Sequence, residues 1–208
     1  MNNVLAFINK NKYVIIFLSC LFCFLILLKN VIYQKDMIWD TIGYALISYY
    51  LISDFMTPFI KIITNLGGVI CIITVTLLSI IFIKNKRLKL LIPINLIIIT
   101  MINQSLKYIL QRPRPTGFRI IEETGFSFPS GHSMVSMAFY GYFIYLIYKY
   151  IKNNYLKWIC IIFLTLLIII IGTSRIYLGV HYTTDVLAGF MFSIMYLIIF
   201  INYTNKYE

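Results

Sequence analysis

Long apolar runs are the feature that most limits what this chain can fold into. Several of them reach the ~17–25 residues that an α-helix needs to cross a bilayer. They fall roughly at residues 13–28, 66–83, 90–110, 133–148, 158–173 and 182–201. Because 61% of the 208 residues are hydrophobic and only 12% are charged, a water-soluble globule could not bury this much apolar surface. We therefore predict an all-α, polytopic membrane protein with six transmembrane helices.

The first apolar run follows Lys10 and Lys12, so a cleaved signal peptide is the competing interpretation. Bulky residues follow the run, and they offer no small-residue cleavage site. We expect this helix to be retained as the first span.

The segment between the first two spans, residues 34–65, is amphipathic and is interrupted by Pro58. Its longest uncharged stretch, Thr41 to Ser53, has 13 residues, which is too few to cross hydrocarbon. Its aromatic side chains favour the headgroup level of a membrane. We therefore expect short interfacial helices here instead of a seventh span.

The distribution of charge predicts how the chain is oriented. With a cytoplasmic N-terminus, six spans place Lys206 and two basic loops on the cytoplasmic side, as the positive-inside rule requires. These loops carry Lys84, Lys86, Arg87, Lys89 and Lys149, Lys152, Lys157. Six of the seven acidic residues, Asp36 among them, then lie outside or at the outer rim, and only Glu208 lies inside. We expect a multi-pass protein of the cell membrane with both termini in the cytoplasm.

Three short polar segments, here called islands, interrupt the apolar sequence. They read KYILQRPRP at residues 107–115, PSGH at 129–132 and SRIYLGVHYTTD at 174–185. The first two islands share one loop and the third follows after two more crossings, so all three lie on the same face of the membrane. That face is the outer one, where five cations stand against the positive-inside rule: Lys107, Arg112, Arg114, Arg119 and Arg175.

The second island and the cations indicate an anion site. PSGH places a proline, a capping serine and a glycine at the start of a helix, where free N–H groups and the helix dipole attract anions. A plain helix cap would use the same residues. Lys107, Arg114 and Arg175 suit the oxygens of a phosphate, and the alternative is that they extend to lipid headgroups.

His181 and Asp185 are four residues apart on a predicted helix and so share one face. The carboxylate can accept a hydrogen bond from one imidazole nitrogen and leave the other unprotonated and nucleophilic. A structural pair or half of a metal site is the competing interpretation. Because the chain has two histidines and no carboxylate cluster beside both, a dedicated metal centre lacks ligands.

Together the three islands resemble the type-2 phosphatidic acid phosphatase superfamily, which groups membrane lipid phosphatases with soluble vanadium haloperoxidases. The signature motifs of that family are K-x6-RP, PSGH and SR-x5-H-x3-D, and this sequence carries all three in order without a mismatch. We interpret residues 1–208 as a single integral-membrane phosphatase domain, with its motif region at 107–185.

The resemblance implies a role for each motif residue. His181 would attack phosphorus to give a phosphohistidine, Asp185 would hold its ring, and His132 would protonate the departing oxygen. Five residues would hold the phosphoryl oxygens: Lys107, Arg114, Ser130, Gly131 and Arg175. Motif spacing selects Arg114, and we expect Arg112 to contact headgroups or nothing. No metal or other cofactor would be required.

Islands at the outer rim of the bundle favour a substrate whose tail stays in the bilayer, namely a lipid phosphate or diphosphate. Among the substrates of small bacterial members of this family, we favour undecaprenyl diphosphate. Phosphatidylglycerophosphate and phosphatidate are the alternatives. A phospholipid transporter or scramblase that binds without cleaving is the alternative from another class. We expect no nucleic-acid partner, and the oligomeric state stays open.

Overall fold

A computed structural model of the chain describes the backbone of residues 2–34 and 37–206, and the side chains of those residues from Lys10 onward. Asp36 and Glu208, which the charge distribution assigns to opposite sides, lie outside these ranges. The described part is helical: α1 (Asn2–Ile32), α2 (Ile38–Tyr50), α3 (Met56–Thr64), α4 (Val69–Phe82), α5 (Lys86–Leu110), α6 (Gly131–Tyr150), α7 (Asn154–Tyr177) and α8 (Thr183–Asn205). The predicted all-α class is confirmed.

Four helices within the described residues are long and apolar enough to cross a membrane, namely Lys10–Ile32, α5, α7 and α8. A fifth span results if α3 and α4 are taken together, and these two helices are bent by 48° at their junction. Helix α6 has 20 residues, but its serines and tyrosines make it less apolar. It packs among α5, α7 and α8, so protein covers much of its surface. A multi-pass membrane protein is therefore shown, whereas the count of six spans is not confirmed.

The bend between α3 and α4 falls where the sequence predicts the end of the interfacial segment. A 3-10 turn, Asn65–Gly67, joins the two helices. Gly67 approaches the next layer closely, since a Cβ added there would lie 2.7 Å from Oγ of Ser136 and 3.3 Å from Cδ2 of His132. The turn therefore brings the start of α4 against the helix that carries the PSGH island.

Buried polar side chains fix α6 between its neighbours. Ser193 of α8 donates to the carbonyl of Met134 at 2.6 Å, and Asn95 of α5 donates to the carbonyl of Ala138 at 3.0 Å. Polar groups inside a membrane bundle need such partners because lipid supplies none. These bonds hold the N-terminal half of α6, and with it the second island, at a defined depth.

The basic loops lie at the opposite end of the bundle from the islands. Arg87, at the start of α5, donates to the carbonyl of Thr204, and Lys149 of α6 donates to Asn205 at 3.2 Å. Helix α5 has 25 residues, which at ~1.5 Å per residue separates its two ends by about 37 Å. The basic loops and the three islands therefore lie at opposite ends of the bundle, as the predicted topology requires.

Candidate active site

The three sequence islands meet at one end of the bundle. Lys107 comes from the last turn of α5, His132 from the first turn of α6, Arg175 from the last turn of α7, and Asp185 from the first turn of α8. The backbone N–H of Ser130 donates to the carbonyl of Asp185 at 3.1 Å. This bond joins the second island directly to the third.

His181 lies between α7 and α8, and its ring contacts a donor on one side and a carboxylate on the other. Nδ1 is 3.3 Å from Oδ2 of Asp185, and Nε2 is 3.1 Å from Nη1 of Arg114. A guanidinium has only donors, so Nε2 must be the acceptor in this contact. The proton of the neutral ring therefore sits on Nδ1, and Nε2 keeps its lone pair.

Burial also favours the neutral form of this ring. His181 is 3% exposed, and burial lowers its pKa to about 4 although Asp185 acts in the opposite direction. The charges of Arg114 and Lys107 lower the pKa of His181 further. At neutral pH the side chain that the sequence predicts as the nucleophile is therefore unprotonated at Nε2.

Arg114 is held in place by main-chain carbonyls. Its guanidinium donates to Val180 and Thr124 at 2.9 Å each, and to Gly125 at 3.1 Å. Carbonyls orient the guanidinium without adding a full negative charge. The positive charge of Arg114 therefore stays available beside Nε2 of His181.

Arg175 is almost fully buried, with its side chain 2% exposed. Its guanidinium donates to Oγ1 of Thr64 at 2.9 Å and forms an ion pair with Glu123. Its Nε has no partner among the described residues. A buried donor without a partner is costly, and an anion bound here would satisfy it.

Glu123 is a member of this site that sequence reasoning missed. Its carboxylate pairs with Arg175 and lies 3.8 Å from Arg114. Burial alone would raise the pKa of Glu123, but the adjacent Arg175 keeps it below its usual range. Counting Lys107, three cations face this one carboxylate, so the pocket keeps a positive excess that suits a second anion.

The PSGH island lies against the end of α5. A Cβ added to Gly131 would lie 3.1 Å from Oδ1 of Asn103 and 3.9 Å from Nζ of Lys107. Ser130 caps α6, accepting from the N–H of Ser133 at 3.5 Å. His132 interacts electrostatically with Arg175, Glu123, His181 and Lys107. The predicted site residues are thus brought together, and their individual roles stay predictions.

The expectation for Arg112 is wrong. Its side chain is 11% exposed and forms two ion pairs, at 2.5 Å with Asp185 and at 2.6 Å with Asp40. It points into the protein because α2 supplies a buried carboxylate that the linear sequence does not reveal. Arg112 therefore belongs to a network of ion pairs behind His181, which consists of Asp185, Arg112 and Asp40.

Two more site residues were missed, Ser127 and Asp40. Ser127 donates to Oδ2 of Asp185, and its position two residues before Pro129 of the second island was an available signal. Asp40 lies in the predicted interfacial segment, far along the chain from its partner Arg112. No local pattern marks it as part of the site.

A cleft with a volume of about 630 Å³ opens next to this network. It lies between the end of α1, the start of α2 and the end of α5, and Arg112 and Tyr182 form part of its wall. Apolar side chains such as Val31 and Leu110 line the rest. The cleft is therefore amphipathic and lies at the same end of the bundle as the site.

Comparison with known proteins matches residues 88–208 to the PAP2 superfamily. Phosphatidylglycerophosphatase B of Bacillus subtilis (strain 168) is 37% identical over 97 residues, which are 46% of this chain and 47% of that protein. The match thus spans about half of the curated relative. The crystal structure of the first transmembrane PAP2 type phosphatidylglycerolphosphate phosphatase from Bacillus subtilis is 25% identical, with a TM-score of 0.81 over 92% of this chain and 97% of that one.

Proposed function

The chain belongs to the PAP2 superfamily, and from this premise we propose that it is a membrane lipid phosphatase that works through a phosphohistidine. The feature that carries the proposal is His181, whose unprotonated Nε2 faces the guanidinium of Arg114 while Nδ1 faces Asp185. A nucleophile held by a carboxylate and aimed at cations suits attack on a phosphoryl group.

In the first step, Nε2 of His181 attacks phosphorus and forms an N–P bond as the P–O bond to the lipid alcohol breaks. His132 is neutral in the free protein, because burial and the charge of Arg175 lower its pKa to about 3, and it takes up a proton when the anionic phosphate enters the pocket. It then gives this proton to the leaving oxygen, so the alcohol departs neutral and His132 becomes neutral. Asp185 accepts the Nδ1–H of His181 throughout and stabilises the positive charge that builds on the ring.

In the second step, water attacks the phosphorus of the phosphohistidine. Neutral His132 takes a proton from this water, and the electron pair of the N–P bond returns to Nε2 of His181. Both histidines then have the protonation states that they had in the substrate complex. Inorganic phosphate leaves, and His132 releases its proton as the pocket empties.

The phosphoryl oxygens would be held by the cations of the pocket. Lys107, Arg114 and Arg175 would contact the equatorial oxygens, which carry charge in the transition state. Phosphate oxygens would replace the carboxylate of Glu123 beside Arg175, and the free Nε of Arg175 would gain an acceptor. The N–H of Gly131 and the hydroxyl of Ser130 are proposed as further donors at the start of α6.

As substrate we propose phosphatidylglycerophosphate, in place of the undecaprenyl diphosphate favoured from the sequence. The support is that the curated relative and the solved structure are both named for activity on this phosphomonoester. The amphipathic cleft beside the site is compatible with a lipid that keeps its tail in the bilayer. Undecaprenyl diphosphate and phosphatidate stay in the test as competing substrates.

A transporter or scramblase would use the same cations for binding alone. Such a protein gains nothing from a histidine whose tautomer leaves one nitrogen free, since binding needs no nucleophile. Release of inorganic phosphate by the purified protein separates the two functions.

The test is an assay of the purified protein in detergent with phosphatidylglycerophosphate, undecaprenyl diphosphate and phosphatidate, each with a chelator present. We expect the highest kcat/KM for phosphatidylglycerophosphate and a loss on the order of a thousandfold or more in His181→Ala. Glu122→Gln, whose side chain is 92% exposed, is the control. Full turnover in His181→Ala would overturn the mechanism, and loss of activity in chelator would overturn the metal-free reaction.

We also propose that the site faces the outer side of the membrane and that residues 1–208 form one integral-membrane domain. The orientation is supported by the basic loops at the opposite end of the bundle, which the positive-inside rule assigns to the cytoplasm.

A further inference from the structure

The carboxylate of Asp185 is held at both of its oxygens. Oδ2 lies 3.3 Å from Nδ1 of His181, and it accepts the N–H of Tyr182 at 2.9 Å and the hydroxyl of Ser127. Oδ1 accepts from Nη1 of Arg112 at 2.5 Å. The residue is fully buried, so these partners and not water set the angle of the carboxylate. The partner of Oδ1 is therefore one of the groups that set the orientation of this carboxylate and, through it, of His181.

Arg112 is in turn held by α2. Nη2 lies 2.6 Å from Oδ2 of Asp40, and Nη1 also donates to Oγ1 of Thr184 at 2.9 Å. The guanidinium carbon is 4.0 Å from the centre of the Tyr182 ring, which stacks beneath it. A planar fork that reaches two carboxylates at once is a geometry that lysine cannot reproduce.

Asp40 also fixes the helix that carries Asp185. Its Oδ1 accepts both the backbone N–H and the hydroxyl of Thr184, at 2.8 and 2.7 Å. Thr184 lies in the first turn of α8, where free N–H groups and the helix dipole favour a negative charge. One carboxylate of α2 thus holds the arginine and the helix turn together.

We propose that Arg112 and Asp40 are positioning residues of the phosphatase function proposed above: Arg112 holds Asp185 from the side opposite His181, and Asp40 holds Arg112. Arg112 occupies one of the variable positions of the K-x6-RP motif, and Asp40 lies outside all three motifs. Their contribution comes from the way this chain packs α2 against α8.

The network also sets the charge felt by His181. Two carboxylates share one guanidinium, which leaves a negative excess that stabilises the positive charge building on the ring during attack. The other titratable groups that act on this ring are Lys107, Arg114 and His132, and Glu123 and Arg175 lie beside His132. Removing the charge of Arg112 raises the pKa of His181, and removing that of Asp40 lowers it.

The test is a double-mutant cycle of wild type, Asp40→Asn, Arg112→Gln and the double variant, assayed with phosphatidylglycerophosphate. We expect Arg112→Gln to lower kcat by about tenfold or more, as loss of a residue that orients a site ligand does, with KM and inhibition by inorganic phosphate within about twofold of wild type. Because Asp40 acts through Arg112, the double variant is expected to be no slower than Arg112→Gln.

The pH dependence of kcat/KM separates a positioning role from a purely structural one, because a loss of structure alone would not shift its acid limb. The acid limb of kcat/KM is expected to shift to higher pH in Arg112→Gln and to lower pH in Asp40→Asn. Arg112→Lys keeps the charge but loses the fork, so it is expected to lose kcat without the upward shift. If Arg112→Gln does not fold, the kcat of Arg112→Lys tests the positioning role in its place.

Matched controls are Asp54→Asn and Arg119→Gln, which remove the same charges outside the network. Wild-type kcat in both Asp40→Asn and Arg112→Gln overturns the inference. So do effects that multiply in the double variant, or an equal loss in the binding of inorganic phosphate. If the wild type releases no phosphate, or His181→Ala stays active, the phosphatase function itself fails. If the wild type is active and His181→Ala is inactive, the phosphatase function holds. A failed prediction for Arg112 or Asp40 then contradicts the positioning role alone.

Discussion

At the scale of single residues, the protonation state of His181 decides whether the site can react. Its Nε2 accepts from Arg114, so the ring has a lone pair where a phosphorus atom would approach. The same contact means that Arg114 must transfer its hydrogen bond to a phosphoryl oxygen when substrate enters. In the resting protein the proposed nucleophile, His181, and the proposed phosphate ligand, Arg114, are therefore hydrogen-bonded to each other.

The acid limb of kcat/KM is expected well below the value near 6.5 of an exposed histidine. His181 has a pKa of about 4 because it is buried beside Arg114 and Lys107. The ring is neutral and nucleophilic above that pKa and becomes protonated as the pH falls through it. The measurement is kcat/KM across the acid range, corrected for the ionisation of the substrate phosphate near pH 6. A corrected limb near 6.5 would show that the ring is not buried as described.

Glu123→Gln is expected to strengthen inhibition by inorganic phosphate about tenfold, the size of one charge-assisted hydrogen bond. The carboxylate of Glu123 pairs with Arg175 and lies near Arg114, so it competes with phosphate for the same cations. The measurement is the inhibition constant of phosphate at neutral pH.

The matched control for that variant is Glu122→Gln, which removes the same charge one residue earlier in the chain, where the side chain is 92% exposed. We expect no change in the inhibition constant there. Equal constants for Glu123→Gln and wild type would place Glu123 outside the anion pocket.

At the scale of helices, the site depends on how closely α2 approaches α8. A Cβ added to Gly43 would overlap the side chain of Thr183, with Cβ of Thr183 at 2.8 Å. Glycine at this position lets the first turn of α2 come close enough for Asp40 to reach Thr184 and Arg112. The interfacial helix predicted from the sequence is therefore a part of the site and not a peripheral anchor.

Gly43→Val is expected to push α2 away from α8 and to lower both the melting temperature and kcat. Overpacking of this kind costs about 1–3 kcal/mol, and the displaced Asp40 would release Arg112. Thermal unfolding in detergent and lipid phosphatase assays measure the two effects. Ala45→Val, an exposed position of the same helix, controls for the helix propensity of valine. A Gly43→Val protein that behaves like Ala45→Val would contradict the close packing.

Residues that carry a motif could be found from the sequence, and those that complete the site could not. Lys107, His132, His181 and the rest of the motif set lie at fixed spacings, and counting crossings places them on one face. Asp40 and Thr64 are defined only by contacts with residues far along the chain. Their identity depends on how α2 and the α3–α4 bend pack, which apolar periodicity does not specify.

At the scale of the whole molecule, the two basic loops and the candidate active site lie at opposite ends of the bundle. The basic turns before α5 and between α6 and α7 lie at one end, and the anion pocket with its loop at 111–130 lies at the other. This polarity follows the positive-inside rule if the pocket faces outward. A lipid phosphate would then reach the site from the outer leaflet.

The orientation predicts which cysteine substitutions a membrane-impermeant maleimide reaches on intact cells. Thr116→Cys, in the loop beside the pocket, is expected to be labelled directly. Lys152→Cys, in the turn between α6 and α7, is expected to be labelled only after permeabilisation. The parent protein measures background labelling of the native cysteines. The reverse pattern would place the pocket in the cytoplasm.

The covalent intermediate tests the central claim most directly. Wild-type protein is mixed with phosphatidylglycerophosphate labelled in its terminal phosphate, quenched in alkali during turnover, and the labelled residue is identified by peptide mass spectrometry. We expect label on His181, sensitive to acid and stable to alkali, and none in His181→Ala. Label on a different residue, or steady turnover by His181→Ala, would contradict the account.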